Sequence, residues 1–202
     1  MSIRTPSLAA ALILAASAAL ASVGDPVAKS PPPAPAQPST SAAASTAPGA
    51  PRGEAERHYA AAYEEIAAAK QELAGNKAKN AAKRFRRALE SGKAAVALDP
   101  RYHEAWNLVG YAARRLGDYE QAFAAYERCL AIKPDYAPAR EYLGEAWLEK
   151  GDPKKAREQL VLLEAYGATA SEDAKTLRAA IAAYEAAHPA DAAAADSSAG
   201  AK

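Results

Sequence analysis

Few side chains in this 202-residue chain are typed and spaced for chemistry. Cys129 is the single cysteine, so neither an internal disulfide framework nor a zinc site built on several thiolates can form. A reactive thiol needs exposure and a cationic neighbourhood. Cys129 instead continues an apolar stripe with Tyr119, Ala122, Phe123, Tyr126 and Leu130, and reads as a small core residue. His58, His103 and His188 lie far apart and share no ligand spacing, so no metal and no cofactor is expected. No acid–base pair, phosphate loop or nucleophile motif occurs, so no catalytic residue is expected and an enzyme is the weakest reading. The one marked charge cluster is Lys77, Lys79, Lys83, Arg84, Arg86, Arg87 and Lys93. It either attracts anionic lipid or envelope polymer, or is the solvated face of a helix that buries Phe85 and Ala88. A formal net charge of +1 lacks the strongly basic balance of a nucleic-acid binder.

The elements that would position these residues are short helices. Trp106 to Pro134 reads as two of them, joined by a turn at Gly117-Asp118 and stopped by a proline that has no amide hydrogen. Trp106, Val109, Gly110, Ala113 and Leu116 fall at helical spacing and make one apolar stripe. The stretch recurs at a step of 34 residues. Forward, Gly110 meets Gly144, Gly117-Asp118 meets Gly151-Asp152, and Ala122 meets Ala156. Backward, Pro134 meets Pro100, Ala122 meets Ala88, and Tyr119 meets Phe85. A fixed period of this length means stacked helical hairpins. A glycine inside a helix costs about 1 kcal/mol relative to alanine. The expected compensation at Gly110 is close approach of the second helix at Ala122, and Gly144 with Ala156 repeats the pair. Gly117 is expected to take the left-handed conformation that ends the first helix.

Trp106, Val109-Gly110, Ala122, Tyr126 and Pro134 resemble the signature of the tetratricopeptide repeat, with Ala113 where tyrosine is usual. In the next repeat Leu143-Gly144, Trp147, Gly151-Asp152 and Ala156 match, whereas Arg140 replaces the tryptophan and Ala168 the proline. Trp106 paired with Ala113, and Arg140 with Trp147, conserve volume along the stripe. The resemblance implies an all-α fold, a right-handed superhelical stack of about three hairpins with a C-terminal capping helix and disordered ends. The repeats are placed at about 59–102, 103–136 and 137–168. The earliest is irregular, since aligning Tyr59, Tyr63, Ile66 and Leu73 with later repeats needs eight or nine extra residues around Gly75 to Lys83. A hairpin longer by roughly one turn per helix accommodates them. The capping helix is expected at about 171–187, with Ser171 or Thr169 as its cap and Ala174, Leu177, Ile181 and Tyr184 as its stripe.

The resemblance also implies a job, which is binding a peptide or partner helix along the concave side lined by the first helices. Opposite the buried stripe there stand Asn107, Tyr111, Arg114 and Arg115, then Glu141, Tyr142, Glu145, Leu148 and Glu149. The alternative is that these are solvated faces with incidental aromatic surface. Family members that clamp a C-terminal carboxylate use basic and amide residues where this chain has Pro138 and Tyr142, so that subclass is not expected. A protein scaffold of the cell envelope is the leading reading. A self-associating structural module and an accessory subunit of an envelope enzyme complex are the alternatives.

Arg4 followed by the uncharged run Leu8–Leu20, with Ala19-Leu20-Ala21 after it, has the layout of a secretory signal peptide over residues 1–21. The run is shorter than the roughly 20 residues a spanning helix needs. Export to the periplasm or outside the cell is therefore expected, with no membrane span after cleavage; an uncleaved run would act as an anchor. Residues 22–53, rich in proline, alanine, serine and threonine, read as a disordered linker, and 54–188 as the folded domain. Residues 189–202 read as a disordered tail.

Overall fold

The computed structural model describes residues 50–189. The expected signal peptide, most of the linker and nearly all of the tail lie outside the described residues. Within them the chain forms seven α-helices and one 3-10 turn at Gly167–Ala170. They are α1 (Ala50–Ala74), α2 (Ala78–Leu98), α3 (His103–Arg115), α4 (Tyr119–Ile132), α5 (Ala137–Glu149), α6 (Pro153–Ala165) and α7 (Ser171–Ala187). Consecutive helices pack as hairpins, α1 on α2, α3 on α4 and α5 on α6, and each hairpin packs on the next. The fold is an all-α stack of helical hairpins closed by α7, which packs against both α5 and α6.

The turns show why the helices stop where they do. Gly117 and Gly151 have φ of 81° and 78°, a conformation that costs glycine nothing. After α3 the amide of Gly117 bonds the Arg114 carbonyl, and the amide of Asp118 bonds that of Ala113. This is the paired closure of a left-handed helix end. Asp118 then opens α4, its carboxylate accepting from the Gln121 amide at 3.1 Å, and Asp152 opens α6 by accepting from Lys155 at 3.0 Å. The first hairpin uses the same closure with Asn76, φ 56°, in the glycine's place.

Extra residues in that hairpin lie in its helices. α2 has 21 residues against 14 in α4, a difference of seven, or about two turns rather than one. Two whole turns leave the buried face of α2 aligned with its neighbours. α1, at 25 residues, begins at Ala50 and so converts Ala50 to Gly53, expected as linker, into its first turn. Pro51 is tolerated there because the first amides of a helix have no partner to lose. Arg52 holds this end down: it bonds Glu56 and Asp99 and lies 4.3 Å from the centre of the Tyr102 ring.

Two expectations about the stack are corrected. A Cβ on Gly110 would meet the ring of Tyr126 at 2.6 Å, and one on Gly144 would meet Leu177 of α7 at 2.6 Å. At Gly110 the second helix does come close, but through the Tyr126 ring as the nearest contact, and at Gly144 the nearest contact is α7 rather than the second helix; Ala122 and Ala156 are both fully buried. α7 begins after Ala170, which has no side chain able to cap it, so Ser171 is its first residue rather than its cap. Ala174, Leu177 and Ile181 of α7 are buried and Tyr184 is half-buried, covering the last hairpin.

Candidate functional site

The residues expected on the concave side come from α3 and α5, whose cores are held by α1, α2 and α4. A single apolar stripe predicts an amphipathic α3. Instead every residue from Asn107 to Arg114 is buried, because α3 packs on α1, α2, α4 and α5 at once. Asn107, Tyr111, Arg114, Glu141, Tyr142 and Leu148 are buried, Arg115 and Glu145 are half-buried, and Glu149 is exposed. Tyr111 and Tyr142 thus do not offer open contact area. Their rings lie 5.0 Å apart across the α3–α5 seam, Phe85 of α2 stands 6.1 Å from Tyr111, and Tyr126 of α4 stands 6.5 Å from Tyr142. Burial raises the Tyr142 hydroxyl pKa well above the ordinary tyrosine value, with Glu141 adding to it.

Charge on this side is largely internal. Arg114 reaches from α3 to Glu145 at 2.7 Å and Glu149 at 2.8 Å on α5. Burial opposes its charge, but the two carboxylates outweigh that and hold it firmly protonated. The carboxylates of Glu145 and Glu149 are therefore partly neutralised by Arg114. Asn107 is different. It is 0 % exposed, and neither its amide nitrogen nor its amide oxygen has a hydrogen-bond partner. Over the nearby Tyr111 ring lies Lys70 of α1, its ammonium 5.1 Å from the ring centre.

Elsewhere, Cys129 is fully buried and burial pushes its thiol above the ordinary range, followed by the Glu104 charge, so it is no nucleophile in the folded chain. Among the described residues no three His, Cys, Asp or Glu side chains are grouped to hold a metal ion. No helix among them is long and apolar enough to cross a membrane.

The tetratricopeptide repeat family matches this chain over residues 113–181, from the end of α3 into α7. No curated protein matches it. Over residues 113–181 the helical hairpins are similar to tetratricopeptide repeats, a class that generally mediates protein–protein interaction and is typically non-catalytic. Sequence reasoning missed two contributors to the site, Lys70 and Phe85. Both come from the irregular first hairpin, whose register against α3 no sequence period fixes.

Proposed function

We propose that the chain is a non-catalytic protein-binding scaffold that takes an extended peptide, or a partner helix, along α3 and α5. The observation that carries this reading is the Asn107 side chain. A buried amide with both polar atoms unpaired costs about 1–3 kcal/mol per group. A peptide backbone brings the donor and acceptor that such an amide lacks. Lys70, a long flexible side chain laid over the Tyr111 ring, can move aside; Arg115, Glu145 and Glu149 supply the polar rim. Export through residues 1–21, with 22–49 as a spacer, is part of the proposal and would place the scaffold in the cell envelope.

The test uses a photocrosslinking amino acid at Arg115 or at Glu149, exposed to an envelope fraction. Adducts are expected from the parent and not from the same proteins carrying Asn107→Leu. Because leucine removes the orphan amide at similar volume, that variant should melt a few degrees higher. Equal adduct yield, or a lower melting temperature, would reject the reading. Self-association is a second reading, favoured by adjacent Val161 and Leu162 on α6, which are 64 % and 39 % exposed. Sedimentation of the parent as a monomer at high concentration would remove it.

A further inference from the structure

On the side of the stack formed by the second helices, a cleft of about 540 Å³ opens between α2 and α4. Its floor is apolar, made by Trp106, Val109 and Ala125, while Lys93 of α2 and Arg128 of α4 stand on opposite walls. Both cations are exposed, and among the described residues neither makes an ion pair. The Gln121 amide lies on the rim. Its nitrogen donates to Asp118 at 2.9 Å, but its oxygen is buried without a partner. Lys79, Lys83 and Arg86 extend the positive face along α2, also without ion pairs among the described residues, whereas Arg84 and Arg87 are bound to Glu65.

The molecule holds its own comparison one repeat further on. A cleft of about 400 Å³ between α4 and α6 is lined by the residues 34 positions along, except that Trp147 takes part and Leu162, the counterpart of Arg128, does not; there the cations Arg140 and Lys155 are answered from within the chain. Arg140 stands where Trp106 does and bonds Gln159, Tyr166 and the Pro134 carbonyl. Lys155 lies 3.8 Å from the centre of the Trp147 ring and pairs with Asp152. The first cleft lies at the equivalent place in the preceding repeat, with Glu127 and Leu162 standing 34 positions after Lys93 and Arg128, and its own cations are unanswered among the described residues.

We propose that the α2–α4 cleft binds an acidic peptide segment, seating one bulky apolar side chain on Trp106, Val109 and Ala125 with carboxylates at Lys93 and Arg128. Apolar burial supplies the affinity and the flanking cations supply selectivity and steering. An apolar floor set between two unanswered cations points to a peptide that carries one apolar side chain among carboxylates. A recess between two cations also suits an inserted side chain better than a flat membrane. This surface is separate from the α3–α5 site and needs no ligand there.

The chain has two tryptophans, so Trp147→Phe leaves Trp106, at the cleft itself, as the only indole reporter. The probe is a blocked pentapeptide with phenylalanine between paired glutamates. A saturable change in Trp106 emission is expected, weakening as salt is added. Affinity should fall on the order of tenfold or more for the peptide with glutamines, for the peptide with alanine at its centre, in Lys93→Glu/Arg128→Glu, and in Ala124→Leu, which fills the exposed mouth. Lys154→Glu/Lys175→Glu, of equal charge change on α6 and α7 away from the cleft, should bind as the parent does, and circular dichroism melts confirm that each variant folds. Equal affinity for the glutamine peptide, no saturable response to any peptide, or retained binding in Ala124→Leu would overturn the proposal. A stronger response to phosphatidylglycerol vesicles than to the acidic peptide would overturn it in favour of a lipid surface.

Discussion

At the scale of single residues, Gly110 and Gly144 occupy the same position of successive repeats yet answer to different neighbours. A methyl group at either gains about 1 kcal/mol of helix propensity and collides with something. At Gly110 the obstacle is the Tyr126 ring, fully buried and boxed by Tyr142. At Gly144 it is the methyl end of Leu177, a flexible side chain on the last helix. Overpacking a rigid site costs about 1–3 kcal/mol, so Gly110→Ala should be destabilised by about 1–2 kcal/mol, and Gly144→Ala should stay within about 1 kcal/mol of the parent. Urea melts that shifted both equally would show that the repeat position, not the neighbour, decides. Trp106 and Arg140 teach the converse lesson. The indole N–H bonds the Pro100 carbonyl at 3.0 Å, and the Arg140 Nε bonds the Pro134 carbonyl at 3.0 Å. What passes from repeat to repeat is a donor six residues after a proline carbonyl, which a volume argument does not reveal.

At the scale of the element, the first hairpin keeps its turn and lengthens its helices. Asn76 does the work of Gly117 at a positive φ, because asparagine is among the few residues that visit that region at modest cost. Asn76→Ala should cost about 1 kcal/mol, and Asn76→Gly should remain within ~0.5 kcal/mol of the parent, measured by chemical denaturation. An alanine variant as stable as the parent would mean that the turn is not held in this conformation in solution. The turns of the second and third hairpins were legible from Gly117-Asp118 and Gly151-Asp152, since the left-handed residue and the following cap are local chemistry. The first was not, because Gly75 beside Asn76 offers two candidates and only the bond from the Lys77 amide to the Glu72 carbonyl selects between them.

At the scale of the whole molecule, the seams between hairpins are filled with tyrosine. Tyr59, Tyr102, Tyr126, Tyr136 and Tyr142 are buried, and burial is the first cause that raises each hydroxyl above the ordinary value of 10.0, with Tyr102 pushed up to about 12. In the unfolded chain these groups ionise near 10. Above that pH the unfolded state releases protons that the folded state keeps, so stability is fully present below pH 10 and falls through the window from 10 to about 12. Denaturation midpoints should therefore hold below pH 10 and drop steeply between pH 10 and about 12, and a constant midpoint would mean that the seams admit water. The period of 34, the apolar spacing and the glycine turns were enough to determine helical hairpins in sequence, since each depends on residues within a turn or two of one another. They could not determine that α3 is enclosed on all sides, that Asn107 and Tyr111 lie inside, or that Leu177 covers Gly144. Those facts depend on which helices meet across separations of 30 residues or more, and only packing of the whole stack decides them.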